Sequence, residues 1–204
     1  MKIYLARHGQ NEDNVNGILN GHRDLPLTEV GRAQAIEAAE NILHHKLQFD
    51  AVLCSPLIRA KETAEIIAAQ VGAPIPVVHP LLIERDFGIM TGKPVADIKA
   101  LCAPDIIETD TITYFLSPHG AETFPVLLER AHTLLAELQS DYINKTILLV
   151  SHGDMGKMIY ASYYKLAWQD VLVKFHFGNS ELLKLSLDSS PEEAHLFTLA
   201  QYNH

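Results

Sequence analysis

Apolar residues fall into two rhythms along this chain. Short unbroken runs, Ile3-Tyr4-Leu5-Ala6, Ala51-Val52-Leu53-Cys54 and Ile147-Leu148-Leu149-Val150, have the length and flanks of buried strands. Between them, apolar residues recur at helical spacing. The clearest case is 59–71, where Ala60, Thr63, Ala64, Ile67, Ala68 and Val71 share one face and Gly72 and Pro74 close the helix. Thr28, as N-cap, predicts a helix to about residue 47 with Ile36, Ala39, Leu43 and Leu47 inward. A long helix is expected over 122–142, with Leu127, Ala131, Leu134, Leu135 and Leu138 inward, and another over 154–165. Met155 and Met158 lie three apart on the latter and read as core or pocket wall. A short strand is expected at 76–78, and two late strands at 181–187 and 196–199. The polar segments 10–14 and 20–24 read as turns.

Between 93 and 120 the pattern loosens. A short helix near 95–101 is expected, then loop containing Pro104 and Pro118, together an insertion over the sheet edge. Alternating strands and helices predict an α/β fold: a three-layer α/β/α sandwich on a mainly parallel sheet. One domain over 1–204, with a small inserted lid at about 93–120, suits this length.

Each buried run stops at chemistry. The first ends in Arg7-His8-Gly9, the second in Ser55-Pro56-Leu57-Ile58-Arg59, the third in Ser151-His152-Gly153. Ligands of open α/β sheets bind outside the carboxyl ends of the strands. Among 11 histidines, a single His beside an Arg means little. Three strand ends carrying Arg or His mean more, because parallel neighbours would bring them to one crevice. His8 is then a candidate nucleophile or base, and Gly9 lets another group come close.

Composition narrows the classes. A net charge of −9 argues against a nucleic-acid surface, so any anion site must be a local island of positive charge. Two cysteines, Cys54 and Cys102, make neither a disulfide framework nor a metal-ligand set, and Cys54 reads as core. No apolar stretch is long enough to span a membrane, and Met1-Lys2-Ile3 leads straight into a strand without room for a signal peptide. The expectation is a cytoplasmic protein. His44, His45 and His204 read as exposed bystanders.

Taken in order, Arg7-His8-Gly9, Gly21-x-x-Asp24-x-x-Leu27-Thr28-x-x-Gly31, Ser55-Pro56-Leu57-x-Arg59-Ala60-x-x-Thr63-Ala64, Glu84-Arg85-x-Phe87-Gly88, Gly120-x-Glu122-Thr123 and Ser151-His152-Gly153 form a set. The set resembles the histidine phosphatase superfamily, in its phosphoglycerate-mutase-like branch, over residues 3 to about 183. The resemblance implies that His8 is phosphorylated, that Arg7, Arg59 and His152 bind phosphoryl oxygens, and that Glu84 is the general acid. It also implies a phosphoryl contact for Asn14. Asn20, which stands where the family often has threonine or glutamine, is expected to contact the substrate together with Gly21 beside it and Gly153 after the second histidine. Glu122 and Asn179 match recurrent positions to which no chemistry is assigned.

Physical chemistry supports such roles. Phosphoryl transfer passes through a charged, loose transition state, so positioning and charge stabilisation dominate. Arginine forks match phosphate geometry, and a neutral imidazole can attack phosphorus. A leaving alkoxide needs a proton, which Glu84 or, failing it, Asp86 would supply. This chemistry calls for no metal and no cofactor.

The insertion bears on the substrate. It holds Lys93 and Lys99 but no arginine, against Asp97, Asp105, Glu108 and Asp110, a poor second phosphate site. The family's mutases have a longer, arginine-bearing insertion and a Trp in the first motif that is missing here. The expected activity is therefore hydrolysis of small phosphomonoesters through a phosphohistidine. The alternatives are a bisphosphate-dependent phosphoglycerate mutase and a catalytically silent module that binds a phospho-ligand or partner. The expected partner is a small phosphorylated metabolite, with neither nucleic acid nor membrane. The sequence leaves the oligomeric state, a homodimer included, open.

Overall fold

The computed structural model describes residues 1–188 and 190–198. In chain order the elements are β1 (Lys2–Arg7), α1 (Glu12–Asn16), α2 (Glu29–His44), β2 (Ala51–Cys54), α3 (Ile58–Val71) and β3 (Val77–Val78). Next come α4 (Ile98–Cys102), β4 (Ile106–Glu108), β5 (Thr113–Phe115), α5 (Phe124–Asp141), β6 (Thr146–Ser151), α6 (Gly153–Tyr164), α7 (Trp168–Lys174), β7 (Leu182–Leu185) and β8 (His195–Phe197).

Six strands form one sheet in the order β3-β2-β6-β1-β7-β8. β3, β2, β6 and β1 run parallel, while β7 and β8 add an antiparallel edge. Alternation along each strand divides the core. Ile3, Leu5, Leu53, Ile147, Leu149 and Leu183 face α5 and α6, packing on Leu127, Leu134, Met155 and Met158. Tyr4, Ala6, Val52, Cys54, Leu148 and Val150 face α2 and α3, packing on Ala38, Ile42, Ala64 and Ile67. With a period of two in the strands, each run supplies both faces, which is why the runs are apolar throughout.

Register places the site. β6 lies between β1 and β2, with Arg7 opposite Ser151 and Cys54 opposite Val150. The three parallel strands thus end level, and His8, Ser55 and His152 follow them directly. The chain then turns through Gly9 against the first turn of α2. A Cβ on Gly9 would lie 2.3 Å from Gly31 O, and one on Gly31 2.0 Å from Gln10 O. Both glycines are there because two backbones touch.

Some expectations need correction. α2 buries Ala35, Ala38, Ala39 and Ile42, while Ile36 and Leu43 are exposed. The alanine stripe, whose small side chains let α2 sit close to the sheet and α3, outcompetes the bulkier stripe one position away. The helix ends at His44, short of Leu47, and His44 and His45 are exposed. α1 forms where turn was expected, closed by a capping box between Asn11 and Asn14. α7 was not foreseen. The loop expected after 101 contains an antiparallel hairpin, β4-β5. That hairpin and α4 share a small core of Leu19, Phe87, Met90, Ile98, Cys102 and Phe115. The last strand occupies His195–Phe197; Leu199, in its expected span, and His204 lie outside the described residues. Among the described residues, no helix is long and apolar enough to cross a membrane.

Candidate active site

A narrow crevice opens at the level strand ends. Its walls include Arg7, His8, Asn14, Asn20, Arg59, Glu84 and Gly153. His8 anchors it through its backbone, whose N–H donates to Ser151 O at 2.9 Å. Its ring Nδ1 is 2.7 Å from Gly9 O. A carbonyl only accepts, so the ring proton sits on Nδ1 and Nε2 keeps its lone pair. Arg59 Nε, 3.2 Å away, donates to that lone pair. Burial, Arg59 and Arg7 together hold the His8 pKa well below 6.5, so the ring is neutral near pH 7.

Arg59 enters from the first turn of α3 and is fully buried. Its Nη1 donates to Arg23 O at 2.7 Å and its Nη2 to Gly21 O at 3.1 Å. Gly21 therefore serves the site through its carbonyl on Arg59 and is not part of the crevice wall. Burial lowers the Arg59 pKa to about 10, which leaves the guanidinium charged at neutral pH. Arg7 lies along Gly153, the position of least bulk, and its Nη1 donates to Phe177 O at 2.8 Å.

His152 stands one layer behind the wall. Its ring centre is 5.1 Å from that of His8, and its Nε2 is 2.7 Å from Ser55 Oγ. The hydroxyl of Ser55 also accepts from Leu57 N at 3.2 Å. The Nδ1 of His152 has no hydrogen-bond partner. Burial, Arg59, His8 and Arg7 push the His152 pKa well below 6.5.

Glu84 is placed by the N-terminus of α6. Its Oε1 accepts from Met155 N at 3.0 Å and Arg85 N at 2.9 Å, and its Oε2 from Asp154 N at 3.4 Å. Asp86, the other candidate acid, is half-exposed, outside the wall, and accepts from Gly88 N at 2.8 Å. Asn14 and Asn20 line the other side. Asn20 Oδ1 accepts from Asn11 Nδ2 at 2.6 Å, and Asn179 Nδ2 donates to His8 O at 2.7 Å and Asn14 Oδ1 at 3.5 Å.

Several residues escaped sequence reasoning. Arg130 of α5 donates to Leu81 O, Ile83 O and Glu84 O at 2.8, 2.7 and 3.2 Å while its fork grips Glu122. It fixes the loop that carries Glu84, with Glu122 holding its fork. Arg85 is buried with Phe87, Phe115 and Phe124 rings 4.9, 4.3 and 4.3 Å from its guanidinium, and its Nε is 2.8 Å from Asp154 Oδ2. Lys157 and Tyr114 line the crevice farther out. Only the Glu-Arg dipeptide offered any signal for these. Among the described residues, no group of three or more His, Cys, Asp or Glu is placed to hold a metal ion.

A neutral histidine ringed by arginines at the ends of three parallel strands is the centre of a phosphoryl-transfer fold. The chain belongs to the histidine phosphatase superfamily, branch 1, whose profile matches residues 3–199. It is 32% identical, over 74% of its length and 75% of the relative's, to a 2,3-bisphosphoglycerate-dependent phosphoglycerate mutase of Methylobacterium sp.. It is 31% identical to the adenosylcobalamin/alpha-ribazole phosphatase of Escherichia coli, over 79% of this chain and 78% of that one. A mycobacterial glucosyl-3-phosphoglycerate phosphatase, solved with VO3, superposes with a TM-score of 0.77 at 30% identity, covering 91% of this chain and 92% of that one.

Proposed function

We propose that the protein is a phosphatase that hydrolyses small phosphomonoesters through a phosphohistidine on His8, without a metal. The observation that carries this is the lone pair of a neutral, buried His8 Nε2 held between Arg7 and Arg59. Arg59 Nε turns from Nε2 to a phosphoryl oxygen as substrate enters, Arg7 binds the others, and the His152 ring backs this cradle from behind His8. Nε2 attacks phosphorus, the ester P–O bond breaks, and the leaving oxygen takes its electron pair together with a proton from Glu84. The Nδ1–H keeps donating to Gly9 O, which steadies the charge that the ring acquires. Glu84, now a carboxylate, takes a proton from water as that water attacks phosphorus. The P–N bond breaks, phosphate leaves, and neutral His8 returns.

The arginines supply the positive charge that a metal would otherwise supply. Hydrolysis is favoured over mutase action by the hairpin. Its contributions to the crevice wall are Thr113, Tyr114 and Phe115, none of them charged. Lys99 is paired with Glu108 at the surface, and Lys93 is exposed outside the wall. The segment 93–120 thus works as a lid on a single domain, without a second phosphate site. Its substrate is a small phosphorylated metabolite. Two buried free thiols suit a reducing cytoplasm.

The test is phosphate release from a panel of phosphomonoesters after exhaustive chelation and without added bisphosphate. Steady release supports the reading. Activity that vanishes with EDTA and returns with magnesium or zinc contradicts the metal-free route. Phosphoglycerate interconversion strictly dependent on bisphosphate restores the mutase alternative.

A further inference from the structure

Arg59 and Glu84 both line the crevice, and one short loop, 20–24, touches both. Gly21 O and Arg23 O accept from Arg59 Nη2 and Nη1 at 3.1 and 2.7 Å. Between these two residues stands His22, whose ring reaches the other way. Its Nε2 is 2.8 Å from Glu84 O. A carbonyl only accepts, so Nε2 carries a proton and donates it. The other ring nitrogen, Nδ1, lies 4.0 Å from Asp86 Oδ2. The loop itself is tied down. Arg23 Nε donates to Asp13 Oδ2 at 2.7 Å, and Asp24 Oδ1 accepts from Ile58 N at 2.6 Å. A Cβ on Gly21 would lie 3.1 Å from the Phe87 side chain.

The anchors of Glu84 come from two sides of the sheet. Arg130 of α5 takes the same carbonyl at 3.2 Å, and the N-terminus of α6 takes the carboxyl group. Both helices pack on one face of the sheet, while α2 and α3 pack on the other. His22 lies between α1 and α2, in the loop that seats Arg59 of α3. Its bond to Glu84 O therefore joins the acid to the half of the molecule that carries the phosphate-binding arginine. A proton donor must lie within hydrogen-bond reach of the leaving oxygen, and a small misplacement is costly to the rate.

We propose that His22 is a positioning residue for the general acid. Its Nε2–H holds Glu84 at a fixed reach from the phosphoryl group that Arg59 binds, so that the acid meets the leaving oxygen. The inference rests on the phosphatase reading above. His22 lies outside the crevice wall and acts only through the Glu84 backbone. Its effect must therefore carry the signature of Glu84. The effect is marked where the leaving group needs a proton and slight where it does not.

The experiment is single-turnover phosphoenzyme formation by wild type, H22L, H22N and H22Q. The substrates are p-nitrophenyl phosphate and the fastest alkyl phosphate of the panel above. Leucine removes the donor. The asparagine amide stops at the place of ring Nδ1, short of Glu84 O, whereas the glutamine amide reaches the place of Nε2 and donates. H22L and H22N should slow the alkyl ester about 3- to 10-fold, as for one lost hydrogen bond, and p-nitrophenyl phosphate by less than about twofold. H22Q should return both rates to within about twofold of wild type. In an E84Q background, H22L should cost nothing further on the alkyl ester. Circular dichroism melting reports whether each variant folds, and H22N decides if H22L does not. Equal losses on the two esters, a loss that persists in E84Q, an H22Q no faster than H22L, or no loss on the alkyl ester in a folded variant overturns the role of His22. Each of these leaves the phosphatase reading standing. No phosphate release from any phosphomonoester by folded wild type removes that reading, and this inference with it.

Discussion

The two ends of the crevice are built on different principles. At the end we propose takes the phosphoryl group, Arg7, His8 and His152 extend directly from strands whose register is locked on both sides, and Arg59 starts the helix after β2. At the leaving-group end, Ile18, Leu19, Phe87, Thr113, Tyr114 and Lys157 come from loops, a hairpin and the interior of a helix. The first end must hold reacting atoms to fractions of an ångström, and a parallel sheet does that. The second must fit one alcohol among many, and dispersed side chains on a small separate core can be exchanged without disturbing the chemistry.

The sharpest way to break this contrast is to remove the nucleophile. His8→Ala should lower turnover of every phosphomonoester by about 10⁴-fold or more, whatever the alcohol. Steady-state rates on an alkyl and an aryl phosphate check this. A loss confined to one of them would move His8 to the specificity end.

Glu84→Gln should slow alkyl phosphate hydrolysis by about 10² to 10⁴, because an alkoxide needs its proton. The phosphorylation burst with p-nitrophenyl phosphate should suffer much less, since nitrophenolate leaves unaided. Equal losses would make Glu84 a positioning group or a base for water. Asp86, half-exposed and held by Gly88 N, is a poor replacement acid.

At the other end, Asp154→Ala strips the partner from buried Arg85 and should destabilise the fold by about 3–5 kcal/mol. Combining it with Arg85→Met should recover much of that loss, as read by urea unfolding. If the single variant unfolds like wild type, the pair is not what holds Phe87 and Phe115 in the wall.

These expectations show what was legible in the sequence. The convergence of side chains at the level strand ends was, because an apolar run that stops at Arg-His-Gly or Ser-His-Gly marks a strand end and its cargo in adjacent residues. The β4-β5 hairpin was legible only as a loosening of pattern. β4 and β5 are three residues each, too short for alternation to register, and the cluster around Phe115 is assembled from distant segments. Lys157 was hidden for another reason. It looks like an ordinary helical lysine until α6 is known to be buried along almost its whole length. The misjudged face of α2 has a similar cause: Ala35, Ala38 and Ala39 win by allowing close approach, which hydropathy does not measure.

A smaller effect separates the ends by pH. His8 and His152 are held below their ordinary pKa of 6.5, so in the window below 6.5 the unfolded chain binds protons that the folded one refuses. Stability is therefore highest above that pH and falls as pH drops through it, by up to about 1.4 kcal/mol per pH unit for each histidine. Urea unfolding between pH 7 and pH 5 should show a shallower slope for His152→Gln than for wild type. An identical slope would mean that His152 takes up its proton in the folded state. Smallest of all, Glu108→Gln removes a surface partner of Lys99 and should change stability by less than about 0.5 kcal/mol and the alkyl-to-aryl preference not at all.

The central claim is a covalent bond between phosphorus and His8 Nε2. Wild-type protein mixed with p-nitrophenyl phosphate, quenched in alkali within the burst and digested, should yield one peptide carrying a single phosphoryl group on His8, stable to alkali and lost in acid. The same label should be missing from His8→Ala. Turnover with no phosphopeptide at any quench time, or with the phosphoryl group on another residue, would contradict the account.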